Sequence, residues 1–137
     1  MDTKVITKAD LNDKNEYIED SLIFDGHIQI EANLGYVSFR LALKATGSII
    51  AFSGSGIKAG SGIEAGWGIK AGEGIEAGSG IEAGLSISCK YISSKLRIFA
   101  GLCIWKMPST EEKQIQCEQL REGEIAYGEL VIKEKVK

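Results

Sequence analysis

The sequence predicts an all-β protein built as a β-solenoid from six-residue repeats, and three observations lead there. From Gly54 to Gly84 the chain reads GSGIKAGSGIEAGWGIKAGEGIEAGSGIEAG, five copies of the phrase G-x-G-I-[KE]-A, and a close sixth copy, GLSISC, ends at Cys89. Strict repetition at a fixed period places the same residue type at the same point of each unit, so that neighbouring copies stack on one continuous core. Within every copy the apolar Ile and Ala lie two apart with a charge between them, which is the period of a strand. Helix is excluded by the glycines, each of which costs about 1 kcal/mol relative to alanine in a helix interior.

The whole chain, 1–137, reads as one domain in three parts: an N-terminal segment (1–20), the coil (21–89, with regular hexads over 54–89) and C-terminal capping strands (90–137). The coil is expected to begin near Ser21, because SLIFDGHIQIEANLGYVSFRLALKATGSIIAF alternates apolar and polar residues and holds a degenerate Ile30-Glu31-Ala32. In the hexads Ile57, Ile63, Ile69, Ile75, Ile81 and Ile87 point inward, and Lys58, Glu64, Lys70, Glu76 and Glu82 point out. Glycines supply the corners, and alanines fit where the coil is too narrow for more. If two hexads close a turn, Lys58 lies over Lys70 and Glu64 over Glu76. If three close it, Lys58 lies over Glu76 and Trp67 over Leu85, at the cost of Glu64 over Glu82. Three faces give the better charge pairing, although such surface pairs are worth only about 0–1 kcal/mol each. The hand of the coil stays open. Downstream, Leu96, Ile98, Leu102 and Ile104, and then Ile115, Cys117, Ile125, Tyr127, Leu130 and Ile132, mark strand-like segments. KMPSTEEK and REGE read as connecting loops broken by Pro108 and Gly123, and KEKVK as a solvated tail.

Composition narrows the function classes. With 137 residues, 44% of them hydrophobic, the chain has enough apolar material for a real core. A net charge of -3 argues against a dedicated nucleic-acid binder, so no direct nucleic-acid contact is expected. The N-terminus has no apolar run of the secretory kind, and no segment approaches the roughly 20 apolar residues of a membrane span. A cytoplasmic location without membrane contact is the expectation. Cys89, Cys103 and Cys117 are odd in number and flanked by apolar residues, which suits reduced buried thiols. A single histidine leaves no His-rich metal site, and no cofactor is implied.

Chemistry-bearing constellations are sparse. His27, in FDGHIQI, is the one candidate general base, but it lies outside the hexads and suits an ordinary strand or turn histidine much better. The GSGSGIKAG glycines lack the GK[ST] ending of a phosphate loop, and Ser53, Ser55, Ser61 and Ser79 have no histidine within the repeat. No catalytic residue is assigned. Trp67 faces out on the alternation above and with Lys70, Glu73 and Leu85 makes an amphipathic patch; the competing placement packs it under a capping segment. Glu73, Glu76 and Glu82 add acidic marks to the outer surface. Trp67, Lys70, Glu73, Glu76 and Glu82 are therefore the candidate binding residues.

The six-residue period with an inward aliphatic resembles the hexapeptide-repeat left-handed β-helix of acyltransferases, and the glycine-rich short strands are similar to polymer-forming bactofilin-like β-helices. Four positions after the isoleucine, where the hexapeptide family has a small inward residue, this chain has Ser61, Trp67, Glu73, Ser79 and Leu85. A second resemblance reaches further: the GIxAG copies followed by LRIFAGLCIW and EIAYGELV resemble small proteins carried by bacterial phages and prophages. That resemblance implies a non-enzymatic, phage-borne interaction protein in the bacterial cytoplasm. Its partner would be a host defence protein or ribonucleoprotein complex such as a CRISPR-Cas effector, which it inhibits. The rival expectations are a hexapeptide-type acyltransferase and a self-assembling structural protein. Exposed backbone at the coil ends also predicts a homodimer.

Overall fold

A computed structural model of the chain describes residues 1–133, and in it the chain is an all-β solenoid of about five turns with parallel sheets. The strands follow the turns. After β1 (Thr3–Ile6) come β2 (Leu22–Phe24) and β3 (His27–Ile30), then β4 (Gly35–Phe39), β5 (Leu43–Ala45) and β6 (Ile49–Ala51). The regular hexads form β7 (Ser55–Ala59), β8 (Ile63–Ala65), β9 (Ile69–Ala71), β10 (Ile75–Ala77), β11 (Ile81–Ala83) and β12 (Ile87–Ser88). The last turns are β13 (Tyr91–Phe99), β14 (Gln114–Cys117), β15 (Gln119–Tyr127) and β16 (Glu129–Ile132). No α-helix occurs among the described residues.

Three faces close one turn. Ile57 stands in register with Ile75, Ile63 with Ile81 and Ile69 with Ile87, a spacing of 18 positions. The first face stacks β4, β7, β10 and the start of β13; the second stacks β2, β5, β8, β11 and the end of β13. The third runs β1-β3-β6-β9-β12-β14-β16. In β8, β9, β10 and β11, each three residues long, the outer two side chains both turn inward, and every hexad Ile and Ala is buried. Leu43, Ile49, Ile57, Ile63, Ile69, Ile75, Ile81 and Ile87 form the ladder, each essentially removed from water. Burying a side chain of that size is worth about 1.5–3 kcal/mol.

The outer surface follows the same register. Lys58 pairs with Glu76 at 3.5 Å, Leu85 stacks on Trp67 through Leu85 N–H to Trp67 O at 3.2 Å, and Glu64 lies beside Glu82. Earlier turns are longer: Val37 is in register with Ile57 and Leu43 with Ile63, a spacing of 20. The extra residues bulge at the corner between the third and first faces, where Asn33 (φ 62°) and Gly54 (φ 81°) turn the chain and Asn33 N–H donates to Ser53 O at 2.9 Å. Ser55 is buried there but satisfied, since its hydroxyl donates to Glu31 O and accepts from Leu34 N–H at 3.1 Å.

Three expectations need correction. The stack reaches past Ser21 toward the N-terminus: β1 pairs in parallel with β3, and the Glu16–Ser38 bridge with buried Tyr17 stands in for a strand on the first face. Leu102 and Ile104 are not strand residues but part of a loop that leaves the coil after Phe99 and returns at Gln114. REGE is not a loop; it lies inside β15, which crosses the corner between the first two faces at Gly123 (φ 116°). KMPSTEEK is largely loop, with one 3-10 turn at Glu111–Lys113. Apart from Lys133, the expected tail lies outside the described residues.

Ile69→Asp places an unpaired charge at the centre of the ladder and is expected to abolish folding, read as loss of the β circular dichroism spectrum and of a cooperative thermal transition. Lys70→Ser, at the exposed neighbouring position, is expected to change stability by less than about 0.5 kcal/mol.

Candidate functional site

Corner residues between the second and third faces build the most distinctive outer surface. Gly26, Gly47, Trp67 and Leu85 follow one another up this corner, one per turn, and His27 adjoins Gly26 at its base. Gly47 has no side chain, and a Cβ there would overlap His27 Nδ1. The imidazole therefore lies across Gly47 and meets Trp67 edge to face, with ring centroids 5.0 Å apart at 78°. Trp105 packs on the other side of Trp67, with centroids 5.8 Å apart at 35°. Trp67 thus lies against two rings and is 39% exposed.

Trp105 arrives in the loop between β13 and β14, which Gly101 (φ 83°) directs out of the coil. Its base is tied to the turn below, with Leu102 N–H donating to Ala83 O at 3.3 Å and Cys103 N–H to Gly84 O at 3.0 Å. Its far side is held by Lys106 Nζ to Glu112 at 2.8 Å and by Ser109 N–H to Glu112 Oε1 at 3.0 Å. Lys106, followed by the Ser109 N–H, holds the Glu112 carboxyl below its usual value. This loop is ordered by its own contacts, yet Ile104 is 99%, Met107 91% and Trp105 55% exposed. Clustered exposed apolar side chains of this kind mark interaction surfaces. A groove runs beside the loop, floored by Ala65, Gly66, Ala83 and Gly84 and edged by Glu64 and Glu82.

The five residues marked in the sequence do not form one surface. Lys70 faces out from the third face, and Glu73 lies at the next corner paired with Lys90 at 3.0 Å. Glu76 sits on the first face with Lys58, and Glu82 on the second beside Glu64. The reason is the turn itself: six residues fill one face, so positions 67–82 travel most of the way around the coil. Only Leu85, one full turn above, joins Trp67. Ile104, Trp105 and Met107 were missed; the signal was the long interval between the inward residues Ile98 and Ile115, which hexads cannot fill.

His27 Nδ1 accepts the Ser48 N–H at 2.9 Å and faces Ser48 Oγ at 2.9 Å. Accepting the amide proton commits that lone pair and places the neutral ring's proton on Nε2, so Nδ1 has no capacity to take a proton from the Ser48 hydroxyl. Among the described residues no group of three or more His, Cys, Asp or Glu is arranged to hold a metal, and no helix is long and apolar enough to cross a membrane. The cysteines are free. Cys89 and Cys117 occupy the inward alanine position of the third face, where burial, with Cys117 adding, pushes the Cys89 thiol up to about 12. Such thiols stay protonated and unreactive.

Glu64 stands beside Glu82 at the edge of the groove. Its hydrogen bond to Glu82, then burial, then charge repulsion raise the Glu82 carboxyl, while Lys44, 3.3 Å from Glu64, pulls it down. No family model matches this chain, and neither a curated protein nor a solved structure matches it.

A raised carboxyl in the folded state means that ionised Glu82 opposes folding, so its favourable contribution is complete below the ordinary value of 4.5 and is lost as pH rises through the folded value. Glu82→Gln is accordingly expected to raise stability at pH 7 by up to about 1 kcal/mol, and the gain should vanish below about pH 4. Urea unfolding of both proteins across that range checks it; a gain that persists in acid would contradict the pairing.

Proposed function

We propose that this protein is a non-enzymatic interaction protein whose contact surface is the corner of Trp67, Trp105, Ile104 and Met107. One observation carries the reading: a loop braced by hydrogen bonds to the coil and within itself holds apolar side chains in solvent beside a tilted pair of tryptophans. Ordered aromatic residues lose little entropy on binding and typically dominate interface energetics. The resemblance of the GIxAG copies, LRIFAGLCIW and EIAYGELV to phage-borne proteins supplies the biological setting. In that setting the chain is carried by a phage, works in the cytoplasm of the bacterial host, and binds and inhibits a defence component such as a CRISPR-Cas effector. The acyltransferase alternative draws no support from His27, whose Nδ1 is occupied.

Expression in a strain carrying the matching immune system is expected to rescue phage plating, and the purified protein to bind an effector subunit. Trp105→Ala should weaken that binding by about 2 kcal/mol or more, as removal of an interface aromatic does, and Trp67→Ala should weaken it as well. Lys70→Ser, on another face, should leave binding unchanged. Calorimetric titration reads all three. Undiminished binding by the Trp105→Ala protein with its fold intact would remove the corner from the interface, and the absence of rescue in every defence system tried would remove the inhibitor reading.

A further inference from the structure

The two ends of the coil differ. At the N-terminal end β1 is the outermost strand of the third face, and Lys4 holds the position opposite Ile28 in the inward column. An inward-facing charge on an edge strand opposes further pairing. The following loop folds across the same end, where Leu11 bridges Tyr17 and Tyr17 packs on Phe39 with ring centroids 5.4 Å apart. At the C-terminal end Leu120, Ile125 and Leu130 stand in the inward columns in register with Ile92, Ile98 and Ile115. Ile92, Ile98 and Ile115 are fully buried; Leu120, Ile125 and Leu130 are only partly buried, and Ile132 is 53% exposed. Among the described residues, the last turn presents core side chains and the open edge of β16.

The third-face edge strand of that turn, β16, complements a reversed copy of itself. Lys133 N–H donates to Cys117 O on β14 at 2.7 Å, so by alternation the N–H and C=O groups of Leu130 and Ile132 point to the open edge. An antiparallel second β16 centred on Val131 sets Leu130 opposite Ile132 of the second copy as the doubly hydrogen-bonded pair. It also sets Glu129 opposite Lys133 of the second copy on the outer side. The two-fold axis that relates the paired β16 strands passes through the third face at Val131. We propose that the protein forms a closed homodimer tail to tail through β16, joining the two third-face sheets. Such a contact closes after two copies, since the N-terminal end is blocked by Lys4 and its loop. It is independent of what the Trp67 corner binds.

Sedimentation velocity of the full chain is expected to show a dimer. Glu129→Lys and Lys133→Glu, both at exposed outer positions, should each weaken association by about ten-fold, because each change places two like-charge pairs in the interface. The double variant should restore it, with circular dichroism unchanged throughout. A monomer at all concentrations, an open ladder of species, single variants that dimerise normally, or a double variant that stays weakened would each overturn the proposal, as would a dimer broken by Trp105→Ala instead.

Discussion

In-register stacking of the inward isoleucines is the constraint on which the rest of this structure depends. Each turn adds one branched aliphatic side chain per face directly above the one below, and the parallel backbone ladders hold that register. Once the ladder is fixed, little freedom remains. In the hexads the second inward position is alanine, which Cys89 and Cys117 continue on the third face, while the longer early turns hold Ile30 and Phe39 there. The residue between the two must face solvent, so charges line up in columns whose attractions and repulsions follow from the length of the turn alone.

The same rigidity governs the outer surface. A coil that cannot bend offers a corner of fixed shape, and an insertion there is displayed in a defined position instead of being absorbed by the core. The loop carrying Ile104, Trp105 and Met107 uses this: its base hydrogen-bonds to the turn below, and its tryptophan rests on a tryptophan that the repeat itself supplies. His27 belongs to the same stack as a positioning side chain, laid across Gly47 by the Ser48 amide.

The hexads were legible because their period is carried by residue types with few alternatives: glycine where the chain bends, isoleucine inside, charge outside. Even the number of faces followed from charge, since Lys58 meets Glu76 only when three hexads make a turn. What was hidden had physical causes. β1 is four residues long and carries a lysine at an inward position, so it does not look like the start of a core. Leu102 and Ile104 alternate as strand residues do, but the chain leaves the coil at Gly101, and no local pattern distinguishes an apolar loop from an apolar strand. The marked residues Trp67, Lys70, Glu73, Glu76 and Glu82 are close along the chain and far apart in space, because proximity on a solenoid follows the turn length and not the sequence.

The account stands or falls on that turn length. Nuclear Overhauser contacts between backbone protons in solution measure it directly. The account predicts cross-strand contacts between Lys58 and Glu76 and between Glu64 and Glu82, and none between Lys58 and Lys70. Contacts linking Lys58 to Lys70 and Glu64 to Glu76 would mean two faces per turn and would contradict the ladder, the charge columns and the corner alike.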